Sequence, residues 1–251
     1  MAVPTHNYYF GEPAVGLTAG YYNNTSYVHK FGHNGDVGTA WETLWNEGGI
    51  YVYPAAATAM QVSSSDVNDD DTDTGAWTVE VQGLDANYNL QSEIVTLNGQ
   101  SQVGTSKEYI RVFRARVLTA GTSGWNEGII YIGTGSPTAG KPSTVYGLIE
   151  PFVCQTLMAL YTVPLGYKAY SLLTHFSSSV SKKASAGIFA RPFGQVFQIK
   201  EYHTLIDGVS PLNHRTSEFY PEKTDLEGRS MVAAGGGDIS CQLEYALIKA
   251  N

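Results

Sequence analysis

Charge is scarce in this chain. Only 15% of its 251 residues are Asp, Glu, Lys or Arg, too few to clothe the solvent faces of a helical bundle or to keep the chain disordered. Basic residues are the scarcer kind, 15 Lys plus Arg against 23 Asp plus Glu. The formal net charge of −8 sets the molecule as a whole against a phosphate backbone or an anionic surface, so neither nucleic acid nor a membrane is an expected partner. Cysteine occurs twice, at Cys154 and Cys241, far apart and outside any CxxC frame, so neither a disulfide framework nor a zinc site is expected. Both read as packed thiols. No run of about eighteen apolar residues occurs, and the opening MAVPTHNYYF lacks a basic patch followed by an apolar stretch. A transmembrane helix and a Sec-type signal are therefore not expected.

Glycine and aromatic residues are plentiful, with 27 Gly, 17 Tyr and 9 Phe, and hydrophobic residues make up 43%. That balance favours a globular all-β protein, of a length that fits one large domain or two of ordinary size. In WTVEVQ, Trp77, Val79 and Val81 alternate with Thr78, Glu80 and Gln82, the two-residue period of a strand with one wet face. NLQSEIVTL predicts the next strand, and Asn98-Gly99 is the strongest short hairpin signal. YIRVFRARV and NEGIIYIG predict further strands. LMALYTV at 157–163 has the composition of a strand covered on both faces, and Cys241, Leu243, Tyr245 and Leu247 form one apolar face near the C-terminus. GIFARPFGQVFQIKEYHTLI predicts two strands broken at Pro192 and Gly194, with Arg191 pairing nearby carboxylates. Short strands with turns every ten residues or so predict a β-sandwich or jelly roll in two β units. The expected division is an extended N-terminal arm over 1–40, a first sandwich over 41–140 and a second over 141–251. Thr39 and Glu42 have capping-box spacing, and Trp41, Leu44 and Trp45 fall at i, i+3 and i+4, which predicts a short helix near 39–47.

The stretches that resemble chemical motifs carry little chemistry. GSPTAGK at 135–141 matches most of a phosphate-binding loop, but Pro142 stands where a Ser or Thr would hold Mg²⁺, so a surface turn is expected. In DVNDDDTDTG, Asp69, Asp71 and Asp73 occupy the first positions of an EF-hand-like frame, yet Gly75 falls one place late and no helix flanks it. A solvated acidic loop is the expectation, with calcium at Asp69, Asp71 and Asp73 as the alternative; no metal or cofactor is otherwise expected. The 6 histidines include no HExxH, and no GxSxG nucleophile elbow occurs. WNEGGIYVY at 45–53 returns as WNEGIIYIG at 125–133, placing Glu47 and Glu127 in equivalent local settings. A glycosidase pair needs two carboxylates in unlike surroundings, so the repeat predicts two strand entries and not a catalytic pair. In PEKTDLEGRS, Lys223, Asp225, Glu227 and Arg229 predict a charged loop.

Five stretches together, YVHKFGHNGDVGTAWETLWNEGGIYVYP, VQGLDANYNLQSEIVTLNG, IRVFRARV, RPFGQVFQ and PEKTDLEGRS, resemble a group of tailed-bacteriophage virion structural proteins. The resemblance spans most of residues 27–249, and the segments occur in the same order. It implies a non-enzymatic β-sandwich or jelly-roll subunit on the outside of the particle, assembled in the host cytoplasm. Its implied partners are the major capsid protein and further copies of itself, with a trimer expected. The expected role is cementing: the 1–40 arm lies on the capsid lattice, with Phe31, Trp41 and Trp45 as buried interface anchors. The alternative is a receptor- or glycan-binding module of a head or tail fibre, using exposed Tyr and Trp side chains.

Overall fold

The computed structural model describes residues 13–214 and 216–250. After a single helical turn and a half, α1 (Pro13–Thr18), the chain runs β1 (Thr25–Val37) and β2 (Glu42–Thr43). Seven strands follow: β3 (Thr58–Ser64), β4 (Ala76–Leu84), β5 (Leu90–Thr96), β6 (Val103–Tyr109), β7 (Arg111–Ala120), β8 (Ile130–Thr134) and β9 (Thr144–Ile149). Eight more complete the chain: β10 (Leu160–Thr162), β11 (Tyr167–Ser178), β12 (Ala184–Arg191), β13 (Gln198–Leu205), β14 (Gly208–Asn213), β15 (Phe219–Tyr220), β16 (Asp225–Val232) and β17 (Gly237–Lys249). The protein is all-β with antiparallel pairing, and its sheets stack in pairs as sandwiches.

The smaller unit is continuous. Sheets β6-β3-β8-β9 and β5-β4-β7 bury a shared core of Met60, Val62, Val79, Val81, Tyr109, Ile130 and Ile132. Val79 and Val81 point inward as their alternation predicts, and Thr78, Glu80 and Gln82 take the wetter face. Asn98 and Gly99 do form a turn, with Gly99 at φ 53°, but β5 and β6 on either side of it belong to different sheets. Ser101 N–H donates to Asn98 O at 2.9 Å and closes the turn in a single antiparallel bridge, while Gly99 ties this corner to neighbouring chain by donating its N–H to Asp69 O and accepting from Ser64 N–H.

The larger unit is assembled from both ends of the chain. One sheet has the order β1-β17-β11-β14, with β15 also on β11, and the other β10-β16-β12-β13, with β2 on β16. Between them lie Leu44, Trp45, Leu160, Phe176, Ile188, Leu226 and the predicted apolar face Cys241, Leu243, Tyr245 and Leu247. The sheets approach closely at Gly228, where an added Cβ would fall 2.8 Å from Cys241 Sγ. Gly32 allows an even tighter crossing, since a Cβ there would meet the backbone of Leu44 and Ala159.

Four sequence expectations change. Residues 25–37 are not an arm but a full strand of the larger unit, paired with β17 from Thr25↔Ile248 to Val37↔Gly237; residues 1–12 lie outside the described residues. The sandwich boundaries shift too: 41–57 packs with the larger unit, whereas β9 at 144–149 completes the smaller one. No helix forms near 39–47. Glu42 does reach back to a backbone N–H, but to Gly38 at 3.0 Å, and it also accepts from Gly49 N–H at 3.1 Å, so it closes a loop instead of capping a helix. Finally, 225–232 is the strand β16, not a charged loop.

Candidate functional site

The two units meet along β7, β16 and the stretch 51–54, and polar groups trapped there need partners. Alternation along β16 turns Leu226 and Gly228 toward the core and places Asp225, Glu227 and Arg229 on the opposite face. On a free sheet that face would be wet. Here Asp225 and Glu227 are buried, because the start of β7 and Tyr51–Tyr53 lie over them. Antiparallel register sets Arg191 of β12 directly opposite Asp225, and Arg111 arrives from the smaller unit.

Asp225 is saturated with donors. Its Oδ1 accepts from Arg111 Nε at 2.8 Å and Thr162 Oγ1 at 2.6 Å, and its Oδ2 from Arg111 Nη2 at 3.1 Å and Arg191 Nε and Nη2 at 3.0 and 2.6 Å. Glu227 accepts from Tyr53 Oη at 2.8 Å, Thr43 Oγ1 at 2.7 Å and Arg229 Nε at 2.8 Å. The guanidinium groups are also stacked: Tyr53 lies between Arg111 and Arg191 at 4.5 and 4.8 Å, and Phe197 faces Arg191 and Arg229 at 4.5 and 4.2 Å. Burial opposes the Arg111 charge, but the hydrogen bonds and charge of Asp225 outweigh it and raise its pKa. Burial, and then the charges of Glu227 and Asp225, push the Tyr53 hydroxyl well above its ordinary value, so it stays protonated and donates to Glu227. With every carboxylate oxygen occupied, the cluster is built to hold the two units in one relation. Removing one partner of such a buried network costs about 3–5 kcal/mol.

Four of the five segments on which the phage-protein resemblance rests contribute to this cluster: the first through Thr43 and Tyr53, IRVFRARV through Arg111, RPFGQVFQ through Arg191 and Phe197, and PEKTDLEGRS through Asp225, Glu227 and Arg229. Sequence reasoning anticipated the Arg191–carboxylate pairing. It missed Arg111 and Tyr53 as partners of the same network; the signal present was the density of Arg and aromatic residues in those segments.

A second feature lies at the edge of the larger unit. β13 and β14 are joined by only Ile206 and Asp207, yet belong to different sheets, and each is an edge strand. Ile199, Tyr202, Ile206, Val209, Leu212 and the nearby Val196 are exposed, Val209 to 66%. Behind them the strands close over a buried polar plug in which Glu201 meets His214 at 3.2 Å and His203 at 3.5 Å. Among the described residues, no group of three or more His, Cys, Asp or Glu is arranged to hold a metal ion.

The predicted anchors separate. Trp45 is 5% exposed, packs edge-on against Tyr51 at 4.9 Å and donates Nε1–H to Gly48 O at 2.8 Å, so it belongs to the core of this chain and is not free to act as an anchor. Trp41 is half-buried against Phe189 and Tyr202, at the border of the exposed β13 face. Phe31 is half-buried on β1 beside His29, lining a shallow cavity with His33 and His175.

Asp69 organises the acidic loop from within. Asp69 is fully buried, and its carboxylate accepts from Ala76 N–H and Glu127 N–H through Oδ1 and from Ser64 Oγ and Gly128 N–H through Oδ2. No lone pair remains in position for a cation. Asp71 and Asp73 are exposed, and the Asp73 carbonyl accepts from Trp77 Nε1–H. The two WNEG copies are likewise unequal. Trp125 is exposed where Trp45 is buried; Glu47 pairs with Lys141 at 2.6 Å, whereas Glu127 accepts from Thr74 and Asn68. Only the second copy leads directly into a strand, β8; the first runs into an irregular stretch over 50–57.

No protein-family model matches the chain, and neither does any curated protein. Among solved structures, the infectious bursal disease virus Gx strain is similar at 10% identity, over 90% of this chain and 72% of that one, with a TM-score of 0.21. The VP2 subviral particle of infectious bursal disease virus is similar at 11% identity, over 91% and 78%, with a TM-score of 0.19. Likeness at this level carries no argument about residues or role.

Proposed function

We propose that this chain is a structural subunit of a tailed-phage particle, a decoration protein that binds the outside of the major capsid lattice as a symmetric oligomer, with a trimer favoured. The observation that carries the reading is the β13–β14 edge: two unpaired strand edges side by side, bearing Ile199, Ile206, Val209 and Leu212 in solvent. A lone subunit gains nothing from such a surface, since open edges and apolar patches invite association; an assembled subunit covers it. The ordered segments that resemble tailed-phage virion proteins supply the kind of assembly, and the ionic seam supplies the rigidity suited to a building block. Binding that prefers the expanded lattice would stabilise that state by mass action against internal pressure.

Trp41 keeps a place at this contact surface beside Tyr202, whereas Phe31 lies on β1 at the opposite edge of its sheet and Trp45 is buried, so both give way to the β13–β14 side chains. Co-sedimentation with expanded and unexpanded capsid shells tests the proposal. Wild-type protein should pellet with expanded shells, and the pair Ile206→Lys and Val209→Lys should stay in the supernatant while melting normally. Equal recovery with both shell states, or undiminished binding by the folded double variant, would contradict it.

A further inference from the structure

At one end of the ionic seam a cavity of about 330 Å³ opens between the units, lined by Tyr88 and Arg111 of the smaller unit and by Tyr53, Arg191, Phe193 and Lys223 of the larger. Its charge is unbalanced. Arg111 and Arg191 share the single carboxylate of Asp225, whose oxygens are already occupied, and Lys223 adds a third cation. Lys223 Nζ lies 5.3 Å from the Tyr88 ring centroid and 5.1 Å from that of Phe193, and it forms no ion pair with a carboxylate among the described residues. Its backbone is held at φ 60°, a left-handed conformation uncommon for a lysine, in the turn that brings it to the cavity. Glu227 and Arg229, behind Asp225, cancel one another. In a chain of net charge −8, this excess of two positive charges at one mouth does not follow from composition.

The walls add a second requirement. Phe193 is 63% exposed and meets Tyr88 edge-on at 5.8 Å, so two rings flank the cations at the entrance. A volume near the lower end of small-molecule sites admits one compact ring and not an extended chain. Cations beside exposed ring faces suit a ligand that is anionic at one end and presents C–H surface at the other.

We propose that this cavity binds the carboxylate-bearing ring of an acidic sugar, a uronic-acid-type residue of a surface polysaccharide, with Lys223 and Arg191 on the carboxylate and Phe193 against the sugar face. The site is independent of the β13–β14 edge, so capsid attachment and sugar binding succeed or fail separately.

Calorimetric titration of the full chain with glucuronate and galacturonate tests this, with glucose, glutamate and inorganic phosphate as comparators. The uronates should bind and weaken with salt, glucose should not bind, and Lys223→Gln should lose about tenfold in affinity or more, the worth of a charge-assisted contact. NMR shifts of the Phe193 and Tyr88 ring signals should accompany binding in the unmodified protein, which locates the site without reliance on any variant. Uronates that bind no better than glucose, or ring signals unmoved at saturation, would overturn the proposal. So would glutamate or phosphate binding as tightly as the uronates, since the site would then be a receptor for any small anion or an acidic peptide.

Discussion

Lys30 shows how a single residue can hide in a sequence. It is 2% exposed, lies near the Phe113 ring, donates to the Phe113 carbonyl and has Arg114 nearby. Burial first, and then the Arg114 charge, hold its pKa well below the ordinary 10.5. Between the folded-state value and 10.5 the unfolded chain binds more protons at this position than the folded one, so the Lys30 contribution to stability rises with pH across that window. Lys30→Met removes this dependence. The stability of the wild type relative to that variant should therefore climb between pH 7 and pH 10 in urea denaturation, whereas a constant difference would show an ordinary, fully charged lysine. Asp69 teaches a related lesson. Its place in an acidic run suggested a solvated or calcium-binding carboxylate, but four donors converge on it from three separate stretches of chain, and that convergence has no trace in local spacing.

At the scale of elements, legibility followed the chemistry of the inner face. In β4 and β17 the inward positions are Val79 and Val81, or Cys241, Leu243, Tyr245 and Leu247, and simple alternation reveals them. In β1 the inward positions from 30 to 34 are Lys30, Gly32 and Asn34, so a true two-residue period is written in residues that a hydrophobic pattern passes over. The strand therefore read as an arm. β16 failed for the mirror reason: Asp225, Glu227 and Arg229 sit on a face that looks solvent-bound until the second unit covers it. Because β1 fills one edge of the sheet beside β17, deleting residues 1–37 should cost the larger unit its folded state and not merely its attachment to a partner. Circular dichroism melting of that truncation should show the cooperative transition lost or the product insoluble. A truncated chain that melts like the full protein would restore the arm.

For the whole molecule, the fold class was readable and the division of the chain was not. Periodicity identifies strands but not their partners, and here β1 pairs with β17 across two hundred positions or more while β3 to β9 fold between β2 and β10 as an insertion. Of the candidate site, the sequence showed the participating segments and the Arg191 pairing, but a network joining residues 43, 53, 111, 191, 225, 227 and 229 exists only after both units have formed. The proposed decoration role rests on two sandwiches clamped by buried ions, with an apolar double edge to one side. The most direct test is electron microscopy of intact particles carrying a labelled form of this subunit. Regular label over the head surface at the lattice symmetry positions is the predicted result. Label confined to fibre tips, or particles without label despite abundant protein, would contradict a decoration role.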